Sequence, residues 1–89
     1  MEFEWDEAKR LSNLEKHRID FADVEAIFDG RPVVTGTSVR GDERRFVTTG
    51  LMDGYFHTVV WMWRDENIRL ISVRRSRDGE KRKYRELYG

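Results

Sequence analysis

The chain has no cysteine and one proline among its 89 residues, and it has no long apolar run. Without cysteine, disulfide bonds and thiolate-bound zinc are excluded. A bilayer crossing needs roughly 18 or more consecutive apolar residues, so the sequence predicts no membrane segment. The acidic N-terminus also lacks the apolar core of an export signal. We therefore expect a cytoplasmic protein that folds as one domain over residues 1–89.

The sequence also lacks the patterns that hold nucleotides and metal ions. Its glycines are scattered and form no phosphate-binding loop. Its two histidines, His17 and His57, are far apart, and no third ligand is spaced to join either of them. No nucleophile elbow marks a serine hydrolase. We therefore predict no metal site and no cofactor.

What the chain does have is charge, and the charge is unevenly distributed. The 17 basic and 17 acidic residues cancel overall, yet residues 64–89 carry a net charge of +4 and residues 1–63 carry −4. From Arg69 to Arg85 inclusive there are eight basic residues, against only two acids, Asp78 and Glu80. Such asymmetry is typical of a face that binds a polyanion. It is equally consistent with a solvated C-terminal helix that packs near acidic neighbours.

The apolar pattern changes from helical to alternating at Pro32. Before it, "EWDEAKRLSNLEKH" predicts a helix with Trp5, Ala8 and Leu11 on the buried stripe and Asn13 on the polar side, and "IDFADVEAIFDG" predicts a shorter second helix. After it, "VVTGTSV", "RFVTTGLM", "FHTVVWMW" and "IRLISVR" are typical of strands, with Asp53-Gly54 as a hairpin turn. "DGEKRKYRELYG" predicts a final helix. We expect an α+β fold: two N-terminal helices, a four-stranded antiparallel twisted sheet and a C-terminal helix, with the helices against one face.

The basic residues of the last strand suggest chemistry on RNA. Guanidinium groups stay charged and present a planar fork of donors that suits phosphate. Strict alternation predicts that Leu70 and Arg74 share one face and that Arg69 and Arg75 share the other. We expect Arg74 and Arg75 to hold the scissile phosphate at the strand end, with Arg45 contributing from an adjacent strand.

Cleaving RNA without a metal ion requires a general base, a general acid and cations that stabilise the charged transition state. The preferred proton-transfer residue is His17, with Lys16 and Glu43 as its rivals; Lys9 and Tyr84 also carry suitable groups. The complete set of predicted catalytic residues is His17, Glu43, Arg45, Arg74 and Arg75. The predicted RNA-binding residues are Lys9, Lys16, Arg69, Arg77, Lys81, Arg82 and Tyr84.

Each candidate also has a purely structural interpretation. His17 lies near a helix end, where its charge would complement the helix dipole. Glu43 and Arg45 are two residues apart and would form a surface ion pair worth under about 1 kcal/mol. Tyr84 can dock the last helix on the sheet. The alternative function is therefore a non-catalytic module that binds nucleic acid or an acidic protein.

Several motifs, in one order, resemble the BrnT-type toxins. "ERRFVTTG" is similar to the family's Glu-x-Arg-aromatic strand, and "IRLISVRRS" to its Ile-Arg-x-Ile-Ser-x-Arg strand. "EKRKY" is similar to the Glu-Arg-x-x-Tyr of its last helix, at Glu80 and Tyr84. The resemblance spans nearly the whole chain. The family's opening Trp-Asp-x-x-Lys-x-x-x-Asn-x-x-Lys-His pattern is matched at Trp5, Asp6, Lys9, Asn13, Lys16 and His17.

The resemblance implies a RelE-like ribonuclease fold and the toxin half of a bacterial type II toxin–antitoxin pair. It further implies cleavage of RNA, inhibition of translation, and neutralisation by a BrnA-type antitoxin through which the complex binds operator DNA. Two positions depart from the family pattern. Arg18 stands where the family commonly has glycine, and Val73 stands where it has a small residue. A left-handed backbone at Arg18 would cost about 1 kcal/mol relative to glycine.

Overall fold

Five strands form one mixed sheet in the structure, a computed structural model that describes residues 2–89. The sheet order is β1-β5-β4-β3-β2; β1 runs parallel to β5, and the other neighbouring pairs are antiparallel. The fold is therefore α+β. The elements in chain order are β1 Phe3–Glu4, α1 Glu7–His17, a 3₁₀ helix Phe21–Phe28, β2 Val33–Arg40, β3 Glu43–Met52, β4 Tyr55–Arg64, β5 Asn67–Arg75 and α2 Asp78–Tyr88.

The prediction of two N-terminal α-helices and a four-stranded antiparallel sheet is wrong. The second helical segment is a 3₁₀ helix whose buried residues are Phe21, Val24 and Ile27. Their spacing of three residues matches the three residues per turn of a 3₁₀ helix. β1 is only two residues long and therefore has no alternation to detect, and its parallel pairing with β5 makes the sheet mixed.

The core lies between the sheet and the 3₁₀ helix. Gly50 on β3 permits the close approach, because a Cβ atom there would lie 3.0 Å from Val33 Cγ1 and 3.6 Å from Ile27 Cγ2. Trp61 contributes its ring to this core and donates its indole N–H to Thr48 Oγ1 at 2.8 Å. The buried core residues are Ile19, Phe21, Val24, Ile27, Met52, Val59, Trp61, Ile68, Leu70 and Val73.

Helix α1 buries an asparagine rather than its leucines. Asn13 Nδ2 donates to the carbonyl oxygen of Ile19 at 3.0 Å, and Asn13 Oδ1 accepts from the backbone N–H of Val73 at 3.1 Å. Leu11 and Leu14 are 52% and 36% exposed, so the predicted buried face of this helix is wrong. The backbone of β5 decides the orientation, because a buried N–H needs an acceptor.

Helix α2 lies on the sheet face opposite the core. Its Glu80 accepts a hydrogen bond from Thr58 Oγ1 at 3.0 Å, whereas the next residue, Val59, belongs to the core. Successive residues of a strand point to opposite faces, so the two helical layers lie on opposite sides of the sheet. The expectation that all helices share one face is therefore wrong.

A β-bulge in β5 changes which residues share a face. Ser72 pairs with Val60 and Leu70 pairs with Trp61, which leaves Ile71 without a cross-strand partner. As a result Leu70 and Val73 both face the core, while Arg69, Ser72 and Arg74 face α2. The prediction that Leu70 and Arg74 share one face of β5 is wrong, because strict alternation ignores the extra residue of the bulge.

Candidate functional site

Two arginines lie in one cross-strand row on the sheet face that carries α2. Met62 on β4 pairs with Arg69 on β5, and the pairing of Phe46 with Trp61 places Arg45 on the other side of Met62. Neighbouring strands are about 4.8 Å apart, so the Cα atoms of the two arginines are separated by roughly 10 Å. An arginine side chain is long enough for both guanidinium groups to reach one anion above Met62.

The acids beside this row leave donors available on both arginines. Glu43 Oε1 accepts from Arg45 Nε at 2.6 Å, and this bond does not use the two Nη groups of Arg45. Glu4 Oε1 lies 3.8 Å from Arg69 Nη1 and 3.9 Å from Arg64 Nε, beyond hydrogen-bond distance. Arg45 and Arg69 are only 22% and 26% exposed, so the surrounding structure holds them in place.

Arg74 has a different environment, because it forms a two-pronged ion pair with α2. Its Nη1 and Nη2 atoms donate to Glu80 Oε1 and Oε2 at 2.8 and 2.9 Å. The same carboxylate accepts from the backbone N–H of Arg77 at 2.8 Å. The bonds from Arg74, the Arg77 N–H and Thr58 lower the pKa of Glu80 to about 2, although burial opposes this shift. Arg74 therefore holds the first turn of α2 against the sheet.

Arg75 lies on the opposite side of the sheet from Arg74. Its guanidinium carbon is 4.1 Å from the ring centroid of Tyr55, in a cation–π contact. Arg74 and Arg75 therefore cannot bind the same phosphate from the same side. Arg45 is also remote from this end of β5, because β4 separates β3 from β5. The expectation of Arg45 on an adjacent strand is wrong.

Sequence reasoning missed His57, which is buried beside Arg75. Its Nδ1 atom is 2.9 Å from the carbonyl oxygen of Tyr55, and its ring lines a cleft of about 180 Å³ together with Arg18 and Asp23. Burial and the charge of Arg75 lower the pKa of His57, and the backbone bond partly opposes them. The sequence did contain a sign of this position, because His57 alternates with Val59 and Trp61, which lie on the apolar face of β4.

The remaining candidates do not join the arginine row. His17, Lys9 and Lys16 are on α1, which packs against β5 and the 3₁₀ helix. Tyr84 is buried against Phe56, with ring centroids 5.0 Å apart, so it docks α2 rather than offering a free ring. On or next to the outer surface of α2, Arg77 and Arg82 are exposed and Lys81 is partly exposed.

Within residues 2–89, no group of three or more His, Asp or Glu side chains is placed to hold a metal ion. None of the helices in that range has the length and apolar character needed to cross a membrane.

Comparison with known families decides the class of protein. A family model described as "Ribonuclease toxin, BrnT, of type II toxin-antitoxin system" matches residues 5–80. The chain belongs to the BrnT family. It is therefore a toxin of a type II system, and BrnT membership implies a cognate antitoxin as partner. A search of curated proteins finds no match. The likeness to RelE implied by the sequence stays a prediction.

Proposed function

We propose that the protein cleaves RNA without a metal ion, inhibits translation in the cytoplasm, and is neutralised by a BrnA-like antitoxin. Contact with operator DNA is made only through the antitoxin complex. The observation that carries the catalytic part is the row of Arg45 and Arg69 beside Glu43 on the α2 face. BrnT membership supports ribonuclease activity, and the paired guanidinium groups supply the positive charge that a metal ion would otherwise provide.

The proposed reaction is attack of an RNA 2′-hydroxyl oxygen on the adjacent phosphorus. The oxygen–phosphorus bond forms as the bond to the 5′-oxygen breaks, and the leaving oxygen takes a proton from solvent water. Glu43 accepts the 2′-hydroxyl proton, while Arg45 and Arg69 stabilise charge on the non-bridging oxygens. Glu43 is favoured over His17 because it contacts Arg45 directly, at 2.6 Å.

The other cations of the sequence divide by position. Arg77, Lys81 and Arg82 are on or next to the outer surface of α2, where they bind neighbouring phosphates. Arg75 lies on the opposite side of the sheet, where its guanidinium group contacts the ring of Tyr55. Arg74 acts through Glu80 as a positioning residue, because both of its Nη groups are already bonded.

The test is cleavage of single-stranded RNA in excess EDTA by wild type, Glu43→Gln and Arg45→Ala. Each substitution is expected to lower the cleavage rate by about 10²-fold or more, the scale for loss of one preorganised catalytic group. Arg44→Ala is the matched control, because Arg44 is exposed on the same strand and faces the opposite side. It should retain the wild-type rate.

Three results would overturn the proposal. If EDTA abolishes cleavage and added Mg²⁺ restores it, metal independence is contradicted. Folded Glu43→Gln and Arg45→Ala proteins could retain full activity, which would move the site elsewhere. Tight RNA binding by wild type without any cleavage would instead favour the non-catalytic binding module.

A further inference from the structure

The two edges of the sheet are protected very differently. At one edge, β1 pairs with the start of β5, and Asn13 of α1 accepts the backbone N–H of Val73 farther along. At the other edge lies β2, which has no strand on its outer side among residues 2–89. Its residues 35–40 are all exposed. A strand of eight residues therefore presents backbone donors and acceptors to another chain.

β2 lacks the features that normally prevent edge pairing. Its register with β3 runs without a bulge from the pair Val33–Gly50 to the pair Arg40–Glu43. Pro32 precedes the strand, and Arg40 at its far end is its only charged residue. The Tyr88 hydroxyl donates to the carbonyl oxygen of Val33 at 2.7 Å, which occupies only the start of the strand. Edge strands of this length usually carry charges, bulges or internal proline.

An apolar groove runs beside this edge, between the sheet and α2. It has a volume of about 400 Å³; Val34, Gly36, Val47 and Leu87 form its apolar part, and Glu80, Lys83 and Glu86 of α2 add charged groups to its lining. Val34 and Gly36 are alternate residues of β2, so they face the groove from the same side of the strand. Leu87 is 66% exposed at the rim. The groove is therefore suited to an apolar side chain carried by a strand that pairs with β2.

We propose that an extended segment of the cognate antitoxin pairs with β2 as a sixth strand and inserts an apolar side chain into this groove. Main-chain hydrogen bonds then supply affinity and the groove supplies selectivity. The proposal rests on the antitoxin partner of the proposed function. Charge supports the choice of occupant, because Arg40 and Arg44 are exposed at the far end of the hairpin and form no ion pair within residues 2–89. Acidic side chains of the segment would be attracted there.

This binding mode also explains inhibition. Ser38 on β2 pairs with Arg45 on β3, so an added strand would lie two strand spacings, or roughly 10 Å, from the strand that carries Arg45. Side chains of the antitoxin segment on the α2 face would extend over Arg45 and exclude RNA phosphate. The antitoxin therefore inhibits by covering the arginine row.

Gly36→Trp tests the groove without replacing a residue of the arginine row. A Cβ atom at Gly36 would have no heavy atom within 4 Å, so this position has room for the start of a side chain, and Gly36 lines the groove that an indole ring there would enter. The measurement is the Kd of the purified, co-encoded antitoxin by calorimetry, and we expect Gly36→Trp to raise it at least tenfold. Thr37→Trp is the matched control, because Thr37 faces the other side of the strand, and its Kd should stay within about threefold of wild type.

Amide hydrogen exchange supplies a second readout. The antitoxin should slow exchange of the amides in residues 33–40, since outward N–H groups gain acceptors. RNA cleavage by Gly36→Trp without antitoxin should equal that of wild type. Unchanged antitoxin affinity in Gly36→Trp, or no protection of β2 in a tight complex, would overturn the inference and leave the ribonuclease proposal intact.

A second copy of the toxin and RNA are the two alternative partners of the β2 edge, and the same proteins can test for each. Size-exclusion chromatography of the toxin alone would reveal a dimer lost in Gly36→Trp if a second copy pairs with β2, and that result would overturn the inference. If the toxin binds RNA and Gly36→Trp weakens that binding, the inference would also be overturned. If wild type fails to bind the co-encoded antitoxin at all, both this inference and the proposed partner are wrong.

Discussion

Arg69 and Arg74 lie on the same face of the same strand, yet their surroundings differ. At the end of β5, Arg74 has both Nη groups bonded to Glu80 at 2.8 and 2.9 Å. Near its start, Arg69 has its nearest carboxylate oxygen 3.8 Å away and stands in a row with Arg45. A basic stretch of sequence can therefore contain both an arginine that stabilises the fold and an arginine left available for a ligand.

The largest expected effect on stability comes from removing the charge partner of Arg74. Glu80→Gln removes the charge partner of a largely buried guanidinium, and we expect it to lower the free energy of unfolding by roughly 2–3 kcal/mol. For a domain of this size, that corresponds to a fall in Tm of about 8–24 °C. Thermal unfolding followed by circular dichroism checks it. Glu86→Gln on the exposed side of α2 is the control and should change Tm little.

Acid should weaken the ion pair between Arg74 and Glu80. The folded pKa of Glu80 is about 2, below its usual 4.5, so its stabilising contribution is complete above pH 4.5 and is lost as the pH falls toward 2. The stability of wild type, measured by urea unfolding between pH 6 and pH 3, should therefore fall below pH 4.5. In Glu80→Gln this fall should be smaller; an equal fall in both proteins would contradict the pairing.

His57 predicts a separate loss of stability at a higher pH. Its pKa is lowered from 6.5 in the folded state, so below pH 6.5 the unfolded chain binds a proton that the folded chain does not. Stability should therefore decrease as the pH falls below 6.5. The charged and titratable groups around this ring are Arg18, Asp23, Asp53, Tyr55 and Arg75. Urea unfolding of His57→Gln should lack this part of the pH dependence, and an unchanged profile would contradict it.

The smallest expected effect concerns the end of α1, far from Arg69 and Arg74 in the sequence. Arg18 has φ of 62° and ψ of 27°, and its N–H donates to the carbonyl oxygen of Leu14 at 2.9 Å. Glycine adopts this left-handed conformation without the Cβ strain, so Arg18→Gly should stabilise the protein by about 1 kcal/mol. Arg18→Ala is the control for loss of the side chain. A lower Tm in Arg18→Gly than in Arg18→Ala would contradict the strain.

Local signals in the sequence predicted the elements that depend on local physics. Asp53 and Gly54 adopt φ of 54° and 81°, as a tight hairpin turn between β3 and β4 requires. Asp6 caps α1 by accepting the N–H groups of Ala8 and Lys9. In each case the residue type determines the backbone conformation within a few positions along the chain, so the printed sequence is sufficient.

Features fixed by distant contacts could not be predicted in this way. Asn13 is polar, yet it is buried because a backbone N–H 60 residues away needs its oxygen. The bulge at Ile71 has no composition signal, although it moves Arg74 to the face of Arg69. The candidate residues Arg45 and Arg69 were named from the sequence, but their common row depends on the sheet order.

Different roles for Arg69 and Arg74 predict different losses of cleavage at the two ends of β5, and one assay measures both. The measurement is the single-turnover rate of RNA cleavage in EDTA by Arg69→Ala and Arg74→Ala, each at a temperature where circular dichroism shows it folded. Arg69→Ala should lower the rate by about 10²-fold or more, because it removes a preorganised donor to the transition state. Arg74→Ala should lower the cleavage rate by less than about tenfold, but it should lower Tm more than Arg69→Ala does. Equal losses of cleavage in the two folded variants, or a full rate in Arg69→Ala, would contradict the account.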